Sequence, residues 1–172
     1  MARRYQPRIN QQKSGLKLRL YPIVSVVIAS ALPLLLPIIA TMPLLPPLGF
    51  MVLLAWRLLR PQFWPIWVGA PLGLVDDLFS GQPLGSAMLI WSVTLILLDL
   101  ADQRFAFRGF RQEWVVASLF ILFAIVAGYA INIAHDASIV PLALLPQIAL
   151  SMVLFPLILR FTAWIDARRL RP

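Results

Sequence analysis

Six long apolar segments, separated by short polar connections, dominate this chain and restrict what it can fold into. A bilayer core is spanned by roughly 20 helical residues, with a range of about 17 to 25, and most of the segments have such a length. Hydrophobic residues make up 60% of the sequence, whereas a soluble domain contains about 45–50%. The sequence therefore predicts an all-α integral membrane protein, a six-helix transmembrane bundle. The predicted spans are residues 20–40, 44–59, 62–79, 84–100, 114–134 and 139–159.

The predicted spans leave a basic tail at each end of the chain. We expect residues 1–19 to form one tail, 20–163 the transmembrane domain and 164–172 the other tail. Pro33 and Pro37 should kink the first span or end its regular part early. The second span is short and contains Pro46 and Pro47, so its start should be irregular. No small-residue cleavage site follows the first apolar run before Pro33, so a removable signal peptide is not expected.

The basic residues are distributed in a way that predicts orientation. All 15 Lys and Arg residues lie in four places: six in residues 1–19, two after the second span, three after the fourth, and four at the C-terminal end. By the positive-inside rule, both termini are cytoplasmic. The alternation also supports a count of six spans, because one span more or fewer would break it. The net charge of +8 comes from basic residues whose positions indicate membrane orientation, so we do not expect a nucleic-acid partner.

Two adjacent acids, Asp76 and Asp77, lie near the outer end of the third predicted span. Acids within membrane-spanning sequence are costly and usually have a function. One interpretation is that they cap the helix end and bond the glycine-rich turn that follows. The alternatives are a specific contact within the chain or with a partner, and the handling of ions or protons. No basic residue of the predicted outer face is available to pair with them.

Three glycines and a proline surround these acids. Gly73 precedes them, and Gly81 and Gly85 flank Pro83. The simplest interpretation of Gly81-Gln-Pro83-Leu-Gly85 is a turn followed by the start of a helix. The alternative is a close helix crossing, because small residues four apart let two helices approach closely.

Polar residues elsewhere predict structural contacts. Asp99 and Asp102 bracket the cytoplasmic end of the fourth span, and we expect them to pair with Arg104 or with arginines of the tails. Asn132, near the outer end of the fifth span, is expected to form a hydrogen bond between helices.

The chain offers little that indicates catalysis. Cysteine is absent, and His135 is the single histidine. His135 and Asp136 are interpreted as a solvated pair in a loop, with a metal site shared with Asp76 and Asp77 as the alternative. The sequence contains no phosphate-binding glycine loop, zinc-protease motif or serine-elbow motif. We therefore expect no enzyme activity, no cofactor and no metal.

The stretch that contains the two acids resembles the MreD family of rod shape-determining inner-membrane proteins. Gly73, Asp77, Gly81 and Gly85 match the G-x-x-x-D-x-x-x-G-x-x-x-G pattern of that family, which does not require Asp76. Residues 46–56, PPLGFMVLLAW, are similar to the proline-led second span of the family. The length and the predicted layout of spans agree as well.

This resemblance implies a non-enzymatic scaffold of the bacterial cell-elongation machinery in the inner membrane. It would help to maintain rod cell shape by positioning lateral-wall peptidoglycan synthesis. The implied partners are MreC, together with MreB, RodA and the transpeptidase partner of RodA, directly or indirectly, and membrane lipid. The MreD fold is similar to the six-helix substrate-binding subunits of energy-coupling-factor vitamin transporters. A small-molecule binding subunit of a transporter is therefore the alternative, although few polar residues are expected at membrane depth.

Overall fold

The computed structural model describes residues 15–35, 45–61, 64–104, 109–134 and 144–170. This part of the chain contains six α-helices. A short 3-10 helix, Ile66–Val68, directly precedes the third helix, and the described residues contain no β-strand. The all-α prediction is confirmed. The helices are α1 (Gly15–Leu35), α2 (Leu48–Leu59), α3 (Gly69–Ser80), α4 (Ser86–Arg104), α5 (Phe110–Ala134) and α6 (Leu144–Leu170).

Three of these helices are long and apolar enough to cross a membrane. They contain the stretches Ser86–Arg104, Arg111–Ala134 and Leu144–Arg168. Helices α2 and α3 have only 12 residues each, which corresponds to a length of about 18 Å, against about 30 Å for a bilayer core. The described part of the chain therefore supports three spans by length and composition, and the count of six spans stays a prediction.

The helix boundaries differ from the predicted spans at the two ends of the chain and at the third span, where α3 begins at Gly69 and not at residue 62. Helix α1 begins at Gly15, and α6 continues through Pro156 as far as Leu170, so both helices extend into segments expected to be tails. Near the end of α6, the Arg168 guanidinium lies 3.7 Å from the centre of the Trp164 ring, a contact that favours continued helix. The irregular start expected for the second span is confirmed, because residues 45–47 are not helical.

Helix α2 lies at the centre of the bundle. A helix that is apolar on all sides is buried on all sides, and the sequence of α2, LGFMVLLAWRLL, has this character. It packs against α1, α5 and α6. Eight of its residues are buried: Gly49, Phe50, Met51, Leu53, Leu54, Ala55, Trp56 and Arg57.

Further contacts join α3 to α1 and α4, and α5 to α4 and α6. The helices alternate in direction, so the bundle has two distinct ends. We name them the cavity end, where α1, α3 and α5 finish and α2, α4 and α6 begin, and the ion-pair end, where α2, α4 and α6 finish.

Candidate functional site

Helix α3 presents one face to α4, and this face carries Gly69, Gly73 and Asp77 at intervals of four residues. A Cβ atom on Gly73 would lie 2.6 Å from the Met88 Cα and 2.7 Å from the Ala87 carbonyl carbon. A Cβ on Gly69 would lie 3.0 Å from backbone atoms of α4. The two backbones therefore touch directly, in the way that small residues four apart permit.

Asp77 joins the two helices at the end of this face, where its side chain is buried with 1% exposure. Its Oδ1 accepts hydrogen bonds from the Ala87 N–H at 2.8 Å and the Ser86 hydroxyl at 2.9 Å. Its Oδ2 accepts from the Gly85 N–H at 2.8 Å and the Met88 N–H at 3.4 Å. Asp77 is therefore a capping residue, but it caps the start of the following helix and not the Ser80–Gly81 turn.

This arrangement accounts for the N–H groups that begin α4. The first N–H groups of a helix have no partner within the helix and carry partial positive charge, so a carboxylate there is stabilising. The Ser86 N–H donates to the Pro83 carbonyl at 3.0 Å, and the Leu89 N–H donates to the Gly85 carbonyl at 2.9 Å. Asp77 accepts from the two residues between them, so each N–H of this first turn has an acceptor.

The glycines of the turn act through their backbone conformation. Gly81 ends α3 with a φ of 67°, and Gly85 precedes α4 with a φ of 97°. Side-chain-bearing residues rarely adopt these values. No atom lies within 4 Å of a Cβ built on either glycine. The interpretation as a turn and helix start is confirmed, and the close crossing lies at Gly69 and Gly73 instead.

Asp76 lies on another side of α3 and faces α1 and α2. One of its carboxylate oxygens would be 2.9 Å from a Cβ on Gly49, and that Cβ would overlap the buried Ser30 hydroxyl. Consecutive helix residues point about 100° apart, which explains why the two neighbouring acids have different surroundings. Asp77 connects α3 to α4, whereas Asp76 faces the centre of the bundle.

Two adjoining cavities open beside Asp76 at the cavity end of the bundle. Their volumes are about 420 and about 120 Å³, and Asp76, Gln82 and Gln147 line both. The sequence suggested few polar residues at membrane depth, but the fold collects them in one place from several helices. Because Asp76, Gln82 and Gln147 come from α3, the α3–α4 turn and α6, no local pattern in the sequence could have shown this. Further polar lining residues are Ser30, Tyr129 and Asn132.

The acids near the end of α4 are paired, although not with the residue expected. The buried guanidinium of Arg57 in α2 lies 2.8 Å from an Asp102 oxygen and 3.3 Å from an Asp99 oxygen. Arg60 binds Asp166 of α6 at 2.9 Å. Arg104 does not take part in any ion pair of the described helices. The true partner is distant in sequence, so proximity along the chain indicated the wrong arginine.

Two other expectations concern residues at the cavity end. Asn132 was expected to bond between helices, but its Nδ2 donates to the Gly128 carbonyl of its own helix at 2.9 Å. His135 and Asp136 lie outside the described residues, so the proposed pair and the metal site that includes them are not tested. The described residues contain no group of three His, Cys, Asp or Glu side chains that could hold a metal ion.

The arrangement around Asp77 coincides with the stretch that resembles MreD. A family model described as rod shape-determining protein MreD matches residues 15–165, which is most of the chain. The chain belongs to the MreD family. Searches of curated proteins and of solved structures gave no match. Membership places the chain in a family of membrane proteins with a role in rod shape determination, in agreement with its three long apolar helices.

The glycine–acid stretch that resembles MreD has a structural explanation in this chain. Gly73 permits contact between the backbones of α3 and α4, Asp77 caps α4, and Gly81 and Gly85 form the turn. Gly69 continues the contact by one helical turn. The sequence analysis missed Gly69, although its spacing of four residues from Gly73 was the available signal.

Proposed function

We propose that this protein is a non-enzymatic scaffold of the cell-elongation machinery that positions lateral-wall peptidoglycan synthesis together with MreC. The observation that carries the proposal is the match to the MreD family over residues 15–165. MreB, RodA and the transpeptidase partner of RodA complete the proposed set of partners, in direct or indirect contact.

The chemistry of the glycine–acid stretch favours a structural role over a catalytic one. Both oxygens of Asp77 accept hydrogen bonds from the start of α4, so this carboxylate is already occupied. A general acid or base must instead reach a substrate proton. The same contacts fix α3 and α4 as a hairpin, which gives a scaffold a rigid element.

We also propose that the protein lies in the inner membrane with both termini cytoplasmic. The ion-pair end of the bundle carries Arg57, Arg60 and Arg168, whereas the cavity end carries Asp76 and Asp77. This asymmetry supports the orientation by the positive-inside rule. We further propose that the fold is similar to that of the six-helix substrate-binding subunits of vitamin transporters. The six helices of the described residues support this similarity.

Co-purification from native membranes tests the scaffold. The full-length protein, carrying an affinity tag, should recover MreC after mild detergent extraction, and its depletion should convert rods to round cells. Asp77→Ala should reduce both the protein level and the recovered MreC. Normal rod shape after complete depletion would contradict the proposal.

The cavities beside Asp76 favour one second candidate, a small-molecule binding subunit of a transporter. A volume of about 420 Å³ lies within the range of small-molecule sites, about 300–1,000 Å³. The same co-purification separates the two candidates. Recovery of an ATPase module, or of a vitamin with the purified protein, would indicate the transporter, whereas recovery of MreC alone indicates the scaffold.

A further inference from the structure

The two adjoining cavities at the cavity end, which we call the Asp76 cavity, contain several groups that can accept a hydrogen bond from a ligand. The Gln147 Nε2 donates to the Leu45 carbonyl at 2.7 Å, and the Asn132 Nδ2 donates to the Gly128 carbonyl at 2.9 Å. A backbone carbonyl can only accept, so each amide must place its NH₂ group there. Each side chain therefore keeps a carbonyl oxygen that can accept a hydrogen bond from a ligand, together with the second N–H of its NH₂ group.

Asp76 adds a negative charge to these acceptors. The ion pairs of the described residues all lie at the opposite end of the bundle, where Arg57 and Arg60 bind Asp99, Asp102 and Asp166. None of them involves Asp76. A carboxylate in a partly enclosed site is stabilised by an opposite charge nearby, and the described helices supply no such charge to this one.

Aromatic rings complete the wall of the smaller cavity. The rings of Phe50 and Trp91 both line it, with their centroids 6.0 Å apart and their planes tilted by 50°. The face of an aromatic ring attracts ammonium and guanidinium groups when they lie within about 6 Å of its centre. A carboxylate, two amide carbonyls and two aromatic rings therefore surround one space, and all of them favour a positively charged donor.

We propose that the Asp76 cavity binds an organic cation that carries a primary ammonium or guanidinium group. Asp76 would accept a charge-assisted hydrogen bond from this group, and the carbonyl oxygens of Asn132 and Gln147 would accept from its remaining N–H donors. The size of the space favours an organic group over a bare metal ion, whose oxygen ligands must lie within about 2.6 Å. This site is independent of the scaffold function, since it concerns a ligand and not a protein partner.

Agmatine is a suitable probe, because it carries a guanidinium group at one end and a primary ammonium group at the other. Isothermal titration of the purified full-length protein in detergent should show saturable binding. Asp76→Asn should weaken that binding by about tenfold or more, through loss of the charge-assisted hydrogen bond. Glu113→Gln makes the same change of charge at the opposite end of the bundle and should leave the affinity unchanged.

Gly128→Leu gives a second variant that does not change charge. A Cβ at this position lies 3.9 Å from the Ile90 side chain, so a larger side chain would fill part of the smaller cavity and should also weaken binding. Thermal unfolding of each variant without ligand verifies that it is folded. Absence of saturable binding at millimolar agmatine, or equal affinity in the folded Asp76→Asn protein, would overturn the proposal. Displacement of agmatine by calcium at constant ionic strength would also overturn it, because the site would then be one for an inorganic cation.

Discussion

The Asp77 carboxylate of α3 accepts a 2.8 Å hydrogen bond from the Ala87 N–H of α4, ten positions further along the chain. The cap of one helix is therefore supplied by the helix before it. Because the capping side chain belongs to a different helix, it fixes the distance and angle between the two as well as the start of the second. The residues of the glycine–acid pattern therefore form the α3–α4 hairpin.

Asp77→Ala should be more damaging than Asp76→Ala. Loss of the Asp77 carboxylate leaves buried N–H donors at the start of α4 without an acceptor, at a cost of roughly 1–3 kcal/mol. Asp76 faces a cavity, so its replacement removes no cap. We expect lower abundance, less recovered MreC and a stronger defect in rod shape for Asp77→Ala, measured by immunoblot, pull-down and microscopy. Equal and mild effects of the two substitutions would contradict the role assigned to Asp77.

Gly73→Ala should separate α3 from α4. The added Cβ would lie 2.6 Å from the Met88 Cα, and backbone atoms cannot move aside as a flexible side chain can. We expect a loss of stability of about 1–3 kcal/mol, as for other overpacked sites, measured as a lower midpoint of thermal unfolding in detergent.

Gly81→Ala is the control for this substitution. The space around Gly81 is open, so only its positive φ of 67° opposes a side chain, and the cost should be about 1 kcal/mol. A larger effect at Gly81 than at Gly73 would show that turn geometry, and not helix contact, dominates the hairpin.

Sequence reasoning recovered the helical class, the irregular start of α2 and the turn around Pro83, because each has a local signal in apolar runs, prolines or glycines. It could not recover pairings that depend on the fold. The partner of Asp102 is Arg57, a residue 45 positions earlier, and Gln147 of α6 meets Asp76 of α3 only at a shared cavity. The sequence analysis gave a close helix crossing at Gly81 and Gly85 as the alternative to a turn, because spacing alone does not distinguish a glycine that needs space from one that needs a positive φ. The crossing lies at Gly69 and Gly73 instead.

Arg57→Met should destabilise the bundle more than Arg60→Met. The Arg57 side chain is 4% exposed and meets two carboxylates, whereas that of Arg60 is 46% exposed. Removing one partner of a buried pair costs about 3–5 kcal/mol, and the partial exposure of both aspartates should reduce this to about 1–3 kcal/mol. A surface pair contributes about 0–1 kcal/mol.

Thermal unfolding of the two arginine variants provides the comparison. Adding Asp102→Asn to Arg57→Met should restore part of the lost stability, because one uncompensated carboxylate disappears. If Asp102→Asn lowers the stability of the Arg57→Met protein by as much as it lowers that of the unchanged protein, the two residues are not coupled. Loss of the ion pair would then not explain the effect of Arg57→Met.

Single cysteines test the orientation of the bundle against a background without native cysteine. Gln82 is exposed at the cavity end, and Gln103 and Ala167 are exposed near the ion-pair end. By the positive-inside rule, Gln82→Cys in intact spheroplasts should react with a membrane-impermeant maleimide. Gln103→Cys and Ala167→Cys should react only after the membrane is permeabilised. Labelling of Gln103→Cys from outside would show that α4 has the opposite orientation. The Asp76 cavity would then lie on the cytoplasmic side.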